Sequence, residues 1–399
     1  MSNTAPEFGT SGLRGLADDL TDDLVKAYVV AFAGLMEHDG TLLLARDLRM
    51  SSPRIARAVA AGAAAAGLRV FDCGVVPTPA LAMAALARPT IAVMVTGSHI
   101  PADRNGLKFY SATGEITKAD ETALKKAVAQ LEPTSTGEPP LAEPYNAHAP
   151  YVDRYVDFFG QGALAGLKIG LWEQSSAARL VLHDILQSLG ADVVKLDRLE
   201  RFVAVDTEAV SEELRLKLKR WASAHGLDAI VSTDGDGDRP LLADAQGRVV
   251  PGDVLGPITA SELGADHIVT PISSNTLVDL MGDFDVERCR IGSPYVIAGM
   301  EAAPNSKVFG YEPNGGVLLG FDAHFEGRTL PALATRDSTL PIVSVLCAAR
   351  DRSVSELVAS LPSRHTATDR LTDVPRETSA ALVQNLIAGN LDLLPNGLG

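Results

Sequence analysis

The sequence predicts an α/β protein built from three similar units, each with a mixed sheet. Short apolar runs of about five residues alternate with longer helical segments along most of the 399-residue chain. Such alternation is typical of strands joined by crossover helices. An apolar fraction of 46% excludes a globally disordered chain, and the length suffices for two or three domains.

The first unit is predicted from three apolar runs separated by helical segments. A helix is expected from Pro53 to near Gly67, with Ser52 as its N-cap. A polar loop, Thr96–Gly106, follows the third run. The predicted strands are Thr41–Ala45, Arg69–Cys73 and Ile91–Val95.

The same pattern recurs twice more, although individual residues do not repeat clearly. The second unit is predicted to contain strands Lys168–Trp172, Asp192–Leu196 and Ala229–Ser232 and helices Ser176–Leu189 and Glu208–His225. The third unit is predicted to contain helices Gly252–Leu263 and Ser274–Met281 and strands His267–Pro271 and Lys307–Gly310.

Changes in composition indicate domain boundaries. A linker rich in Pro, Ser and Thr, Pro133–Pro150, separates the first unit from the second. Further junctions are expected near Gln246–Pro251 and Leu361–Arg364, and Ser363–Gly399 is too short for another independent α/β domain. The predicted domains are therefore 1–145, 146–249, 250–362 and a partial fourth domain, 363–399.

Composition also excludes several classes of function. A formal net charge of −15 disfavours nucleic acid and anionic membranes as partners. The most apolar stretch, Ala58–Leu68, is too short to cross a bilayer, and the N-terminus does not resemble a signal peptide. Cys73, Cys289 and Cys347 form no paired motif and are expected to be reduced thiols. We therefore expect a cytoplasmic protein.

The loop after the third predicted strand contains a candidate nucleophile. It reads TGSHIP from residue 96, and NGLK follows at 105–108. The Ser98 hydroxyl is a weak nucleophile by itself and needs a base or a metal ion. His99 and Lys108 are the nearby candidates for a base. The alternative is a turn in which Ser98 and His99 only satisfy backbone groups.

Three carboxylates at alternate positions, Asp234, Asp236 and Asp238, mark the loop DGDGDR. Like charges this close repel, and a hard divalent cation such as Mg²⁺ or Ca²⁺ is the simplest compensation. An EF-hand is excluded because Arg239 stands at its sixth position and Ala245 at its twelfth. Three protein ligands leave coordination positions for substrate or water, which suits phosphoryl transfer. The alternative is a solvated acidic turn.

Three further polar loops are candidates for binding. In GYEPNGG, residues 310–316, Glu312 and Asn314 can bind vicinal hydroxyls, unless the segment is only a glycine-rich turn. In FGTSGLRG, residues 8–15, Arg14 can close on an anion, unless the segment is a disordered tail. In RDLRMSS, residues 46–52, the Asp and Arg side chains are expected to pair with each other.

In this order, the segments FGTSGLRG, ARDLRMSS, TGSHIPADRNGLK, DGDGDR and GYEPNGG resemble those of the α-D-phosphohexomutase superfamily. The resemblance covers residues 8 to about 362 and is strongest to the bacterial phosphomannomutase and phosphoglucomutase enzymes. It implies four domains around a deep central cleft. Three are α/β units, and the fourth is an α+β, TBP-like domain of which only the beginning is recognised here.

The resemblance also implies roles for individual residues. Ser98 matches the serine that carries the phosphoryl group, and its phosphoserine oxygen completes a magnesium site. Lys108 matches an acid/base lysine, and His99 is a catalytic candidate because it adjoins Ser98. The implied magnesium ligands are Ser98, Asp234, Asp236 and Asp238; the implied catalytic arginines are Arg14 and Arg239; the implied substrate-binding residues are Glu312, Asn314, Gly310 and Arg239.

The implied reaction interconverts a hexose 1-phosphate and a hexose 6-phosphate through a phosphoserine and a 1,6-bisphosphate, with mannose favoured over glucose. Mg²⁺ is the expected cofactor, and glucose or mannose 1,6-bisphosphate is the expected activator. The expected partner is a hexose phosphate, and the expected assembly is a monomer or a dimer.

The chain departs from the family pattern at three sugar-binding positions: Asn314 replaces a usual Ser, and Gly316 and Ser293 replace frequent His residues. These departures bear on sugar specificity and not on phosphoryl chemistry. The phosphate-binding motif of the fourth domain is not found after Leu361. Missing residues, through truncation or omission of a disordered stretch, are favoured over a divergent family member. Two other functions stay open: a phosphosugar-binding protein without turnover, and a metal-dependent phosphatase.

Overall fold

The computed structural model describes residues 5–131, 142–368, 374 and 376–389. The chain divides into two compact units, Met1–Thr366 and Ala367–Gly399. The first unit contains three large sheets, and the described part of the second contains a helix, Arg376–Ile387. None of the described helices is long and apolar enough to cross a membrane.

The first sheet has parallel strands in its centre and at one edge and antiparallel strands at the other edge. Its strands are β1 (Glu7–Phe8), β2 (Leu13–Leu16), β3 (Thr41–Arg46), β4 (Arg69–Gly74), β5 (Ile91–Val95), β6 (Arg104–Ser111), β7 (Gly114–Glu115) and β8 (Glu143–Pro144). Its helices are α1 (Asp22–Leu35), α2 (Ser52–Ala65), α3 (Thr78–Ala87) and α4 (Lys118–Val128). The strand order is β1-β2-β6-β5-β3-β4-β8, with β7 paired to β6.

The second sheet is smaller and has the order β10-β9-β11-β12. Its strands are β9 (Lys168–Gln174), β10 (Asp192–Arg198), β11 (Ala229–Thr233) and β12 (Pro240–Asp244). Its helices are α5 (His148–Phe159), α6 (Arg179–Ser188) and α7 (Glu212–His225). Only β12 runs antiparallel to its neighbour.

The third sheet has the order β14-β13-β15-β16-β19. Its strands are β13 (His267–Pro271), β14 (Asp285–Cys289), β15 (Val308–Tyr311), β16 (Val317–Leu319) and β19 (Leu333–Asp337), and β17 (Ala323–Phe325) and β18 (Arg328–Leu330) form a separate hairpin. The helices are α8 (Gly252–Glu262), α9 (Leu277–Met281), α10 (Ser293–Ala302), α11 (Thr339–Ala348) and α12 (Val354–Ala359). The predicted helix Ser274–Met281 is thus shorter than expected.

The three sheets share one strand order, which confirms the predicted repetition of mixed-sheet α/β units. The corresponding orders are β4-β3-β5-β6, β10-β9-β11-β12 and β14-β13-β15-β16. In each, three parallel strands are followed by an antiparallel fourth. The loop before that fourth strand leaves the carboxyl end of a parallel strand, where ligands of α/β sheets usually bind.

The predicted N-cap of α2 and the predicted start of α7 are wrong. Ser52 does not cap α2; its hydroxyl donates to Asp47 at 2.5 Å. Helix α7 begins only after Ser211, whose hydroxyl accepts a backbone N–H of the first turn. The predicted start at Glu208 lies instead in a turn whose N–H groups donate to the Asp206 carboxylate.

The predicted linker Pro133–Pro150 lies partly outside the described residues, over 133–141. Its described part contains β8, which pairs with β4, and the start of α5 at His148. The predicted cysteine state is confirmed, since Cys73, Cys289 and Cys347 are all free. The domain boundaries after residues 145, 249 and 362 stay predictions.

One apolar core extends through the three sheets of the first unit. It includes Leu43 on the first sheet, Val231 on the second and Phe309 on the third, each fully buried. Helix α11 is apolar on all sides and packs on both α8 and β12. This continuity fixes the positions of the loops that leave the three sheets.

A buried carboxylate, Asp337, joins the second and third sheets. Tyr151 on α5 donates to its Oδ1 at 2.7 Å, and the Tyr155 hydroxyl donates to its Oδ2. The backbone N–H groups of Thr339 and Leu340, at the start of α11, also donate to Oδ1. All four donors are therefore satisfied by one side chain.

We expect Asp337→Ala to destabilise the protein strongly, because it leaves these buried donors without an acceptor. Each unpaired buried group costs about 1–3 kcal/mol, so the total for four donors should be roughly 4 kcal/mol or more. The midpoint of thermal unfolding should fall by about 5 °C or more. Asp351→Ala is the control, because that side chain is 92% exposed. Equal midpoints for the two variants would contradict this role of Asp337.

Candidate active site

Ser98 lies in the β5–β6 loop and is buried against the acidic loop of the second sheet. Its backbone adopts φ +50°, in the left-handed region that serine seldom occupies. Its hydroxyl donates to Asp234 Oδ2 at 2.5 Å, and its Oγ lies 3.4 Å from His99 Nδ1. The candidate nucleophile, the adjacent His and one candidate metal ligand are therefore together.

The loop containing Ser98 is held by a buried pair, Asp47 and Arg49. Their ion pair spans 3.1 Å, and neither side chain is exposed. The Arg49 guanidinium also donates to backbone carbonyls of the loop, those of Ser98 (2.8 Å), Ile100 (2.7 Å), Pro101 (2.6 Å) and Arg104 (2.9 Å). The internal pairing predicted for residues 46–52 is thus present, and it positions the nucleophile.

Two neighbours show how closely Arg49 fits. A Cβ at Gly97 would lie 2.5 Å from Arg49 Cζ, so only glycine leaves room for the guanidinium. On its other side, the guanidinium carbon lies 4.0 Å from the ring centroid of Phe202, beside the second sheet. Arg49 therefore links the β5–β6 loop, which contains Ser98 and is called the serine loop below, to Phe202 beside the second sheet.

The three aspartates of the β11–β12 loop form a candidate metal site. Ligand oxygens of Asp234, Asp236 and Asp238 all lie within 4.8 Å of one another, and the side chains are buried. Asp236 Oδ1 and Asp238 Oδ1 have no hydrogen-bond partner within the described structure. Buried carboxylate oxygens without donors are costly, and oxygen ligands are those that Mg²⁺ prefers. The donor set therefore fits a magnesium ion.

Positive side chains compensate part of this negative charge. Lys108 on β6 donates to Asp236 Oδ2 at 2.6 Å and also to Asp238 Oδ2. Burial raises the pKa of Asp236, but the Lys108 ammonium, with the charge of Arg14 and the hydrogen bond from Thr78, outweighs burial and holds that pKa below the ordinary value. Burial and the charges of Asp236 and Asp238 raise the pKa of Asp234 well above its ordinary value. Three ionised carboxylates therefore need further positive charge.

The two predicted catalytic arginines lie at the same centre. Arg14 is half-buried and donates to the carbonyls of Ser11 and Thr96 at 3.4 Å. The Arg239 backbone N–H donates to Asp234 Oδ1 at 3.2 Å. Its side-chain Nε is buried without a partner among the described residues. Both guanidinium groups retain N–H donors that can form hydrogen bonds to an anion.

The β15–β16 loop (the sugar loop) places the predicted sugar-binding residues beside the β11–β12 loop (the metal loop). Glu312 and Asn314 are 4% and 7% exposed, so both are largely enclosed before any ligand binds. Asn314 Oδ1 accepts the Gly316 N–H at 3.0 Å, which leaves its amide nitrogen free to donate. Gly310 lies within β15, where a Cβ would meet Met300 Sδ at 2.6 Å. The structure thus gives Gly310 a packing role, and its predicted role in substrate binding is untested.

Sequence reasoning missed three contributors because no local motif marks them. Arg336 on β19 pairs with Asp238 at 2.9 Å and with Glu312 at 3.3 Å. Thr78, at the start of α3, donates to Asp236 Oδ2 at 2.7 Å. Glu115 accepts hydroxyl hydrogen bonds from Ser11 and, at 2.9 Å, from Ser293.

The sequence models of two domains match most of the first unit. The model described as phosphoglucomutase/phosphomannomutase, alpha/beta/alpha domain I matches residues 5–135, and that of domain II matches residues 149–247. The chain is also 43% identical to a protein of Salmonella muenchen named phosphomannomutase, covering 99% of this chain and 83% of the relative. The chain belongs to the phosphoglucomutase/phosphomannomutase family.

Solved structures agree with this membership at the level of fold. A phosphoglucomutase/phosphomannomutase family protein from Burkholderia thailandensis superposes with a TM-score of 0.71 at 24% identity, covering 89% of this chain and 79% of that one. N-acetylphosphoglucosamine mutase from Aspergillus fumigatus, solved with GlcNAc-6P and magnesium, has a TM-score of 0.54 at 14% identity, with 90% and 80% covered. The resemblance identified from the sequence motifs is confirmed.

We expect Arg49→Lys to loosen the serine loop, because a lysine cannot reach Asp47 and four carbonyls together. Trypsin cleavage after the exposed Arg104 should accelerate roughly tenfold or more, read by mass spectrometry of the fragments. Arg54→Lys is the matched control, since Arg54 also donates to carbonyls, those of Ala17 and Leu20, away from this loop. Equal cleavage rates in the two variants would contradict the positioning role of Arg49.

Proposed function

We propose that this chain is a phosphohexomutase that interconverts hexose 1-phosphate and hexose 6-phosphate, with mannose the preferred sugar and glucose the next. The observation that carries the proposal is the contact between Ser98 Oγ and Asp234 at 2.5 Å, within a buried triad of carboxylates. A hydroxyl nucleophile beside a cation site is the arrangement that phosphoryl transfer requires.

Ser98 is assigned as the phosphoryl carrier. In the forward step, the free hydroxyl of the hexose phosphate attacks the phosphorus of phosphoserine, and the bond from phosphorus to Ser98 Oγ breaks. The product is a 1,6-bisphosphate. After it turns over, Ser98 Oγ attacks the other phosphoryl group, and the hydroxyl at that carbon is released. The sugar thus gains one phosphoryl group from Ser98 and returns the other to Ser98, so the reaction balances and the phosphoserine is restored.

Proton transfer is assigned to residues that surround Ser98. The attacking sugar hydroxyl must lose a proton as the seryl oxygen becomes able to take one. His99 Nδ1 lies 3.4 Å from Ser98 Oγ, and Lys108 is bonded to the carboxylates beside it. We assign Lys108 and His99 to this acid/base work. Arg14 and Arg239 hold donors toward the site that can stabilise charge on the transferring group.

Mg²⁺ is the proposed cofactor, held by Asp234, Asp236, Asp238 and a phosphoserine oxygen. When bound, it supplies charge stabilisation to the transferring phosphoryl oxygens. Glucose or mannose 1,6-bisphosphate is the proposed activator, because it can phosphorylate Ser98. Glu312 and Asn314 are assigned to the sugar hydroxyls, since one is an acceptor and the other retains an amide donor.

The relatives favour mannose as the first sugar to test. The relative that is 43% identical is named phosphomannomutase, whereas relatives at about 30% identity are named phosphoglucosamine mutase. The family comparisons do not favour the alternative of a phosphosugar-binding protein without turnover. A cytoplasmic location and a monomeric or dimeric state remain predictions of the sequence.

The central test is whether Ser98 becomes phosphorylated. After incubation with Mg²⁺ and glucose 1,6-bisphosphate, intact mass should rise by about 80 Da, and peptide mapping should place the group on Ser98. Ser98→Ala should take up no phosphoryl group and should lose conversion of mannose 1-phosphate. Phosphorylation without conversion would favour a binding protein, and release of inorganic phosphate in excess would favour a phosphatase.

Removal of one triad carboxylate should abolish tight cation binding. Asp236→Asn should weaken Mg²⁺ binding by about 100-fold or more in calorimetric titration, because a direct ligand contributes more than an outer partner. In the unaltered protein, Mg²⁺ should also raise the unfolding temperature above that in chelator. Asp153→Asn, at an exposed position of α5, should match the unaltered protein. Retained affinity in Asp236→Asn would place the cation elsewhere.

A further inference from the structure

Arg336 lies between the metal loop and the sugar loop and contacts both. Only 5% of the residue is exposed. One terminal nitrogen lies 2.9 Å from Asp238 Oδ2, and the other lies 3.3 Å from Glu312 Oε2. A planar guanidinium can serve two carboxylates at once, whereas a lysine ammonium on a flexible stem holds such a geometry poorly.

The two loops also touch each other directly. A Cβ at Gly316 would lie 2.9 Å from the Asp238 carbonyl oxygen and 3.2 Å from Arg336 Cδ, so glycine is required for this approach. The segment that carries Arg336 makes a second link, because the Ser338 hydroxyl donates to the Gly237 carbonyl at 2.7 Å. The two loops are therefore in close contact, in addition to the bridge that Arg336 makes.

The carboxylate at the junction is shared. Asp238 Oδ2 receives both Arg336 and Lys108, while Asp238 Oδ1 has no partner in the described structure. A cation held by the triad takes part of the Asp238 charge, so the pull of Asp238 on the guanidinium weakens. Less of the guanidinium charge is then neutralised by Asp238, so the attraction between Arg336 and Glu312 strengthens. This attraction holds the acceptor oxygens of Glu312 in one orientation.

We propose that Arg336 is a positioning residue that couples cation binding at the aspartate triad to sugar binding at the Glu312 loop. This inference rests on the proposed function, because it takes the triad as the Mg²⁺ site and Glu312 as a sugar ligand. Coupling of this kind is reciprocal: sugar must tighten Mg²⁺ binding by the same factor by which Mg²⁺ tightens sugar binding.

The test is a set of calorimetric titrations with unphosphorylated protein, checked by intact mass, so that no phosphoryl donor is present. The Kd of Mg²⁺ is measured alone, with saturating mannose 6-phosphate, and with saturating inorganic phosphate. Inorganic phosphate reports the simple attraction between anion and cation. In the unaltered protein, mannose 6-phosphate should lower the Mg²⁺ Kd about fivefold or more beyond the effect of phosphate.

Arg336→Lys keeps the charge and removes the bridge, which separates the two effects. Its Mg²⁺ Kd without sugar should stay within about threefold of the unaltered value, and the extra coupling from the sugar should fall to about twofold or less. Glu312→Gln leaves Arg336 in place and should lose the same coupling. Arg248→Lys is the control, because Arg248 pairs with Asp244 and is 61% exposed on its side chain.

Two outcomes would overturn the proposal: coupling in Arg336→Lys within twofold of the unaltered protein, or an unaltered protein in which mannose 6-phosphate and inorganic phosphate act alike. Should Arg336→Lys fail to fold, as read by circular dichroism, Glu312→Gln decides alone by the same criterion. The conversion assay separates this inference from the proposed function. Coupling without conversion refutes the mutase, and conversion with undiminished coupling in Arg336→Lys refutes the role of Arg336.

Discussion

Three carboxylates buried within 4.8 Å of one another repel, and the centre of the molecule is arranged around that repulsion. The carboxylates belong to the second sheet, whereas the cations that face them, Lys108 and Arg336, come from the first and the third. Without the first and third sheets, the triad would lose its ion pairs with both of these cations. The shared apolar core and the joint at Asp337 are therefore conditions for the site as well as for stability.

The repeated topology explains how one architecture supplies three kinds of chemistry. In each sheet, the polar loop joins the third parallel strand to the antiparallel fourth, so its ends are fixed by hydrogen bonding to neighbouring strands. A fixed framework tolerates different residues at the loop tip. Under the proposed function, the first loop carries the nucleophile, the second carries ligands for a cation, and the third carries groups for sugar hydroxyls.

Short contiguous motifs made the Ser98 loop, the aspartate triad and the Glu312 loop predictable, because each is complete within a few residues. Arg336 and Thr78 could not be predicted in this way, since their partners are distant in sequence and meet only through the sheet order. The predicted N-cap of α2 is wrong for a local reason, because the Ser52 hydroxyl donates to Asp47, a contact set by the path of the loop. Gly310 lies inside a strand, where packing explains it.

The serine loop is strained before any ligand binds, and the strain is informative. A left-handed backbone at a non-glycine residue costs on the order of 1–3 kcal/mol and persists only where the surroundings enforce it. Arg49 enforces it here, through four carbonyls and the ion pair with Asp47. A carrier that exchanges a phosphoryl group with either end of one sugar must present the same geometry in both encounters. With Ser98 as the proposed carrier, motion is left to the bisphosphate, and the proposed reaction requires rigidity around Ser98.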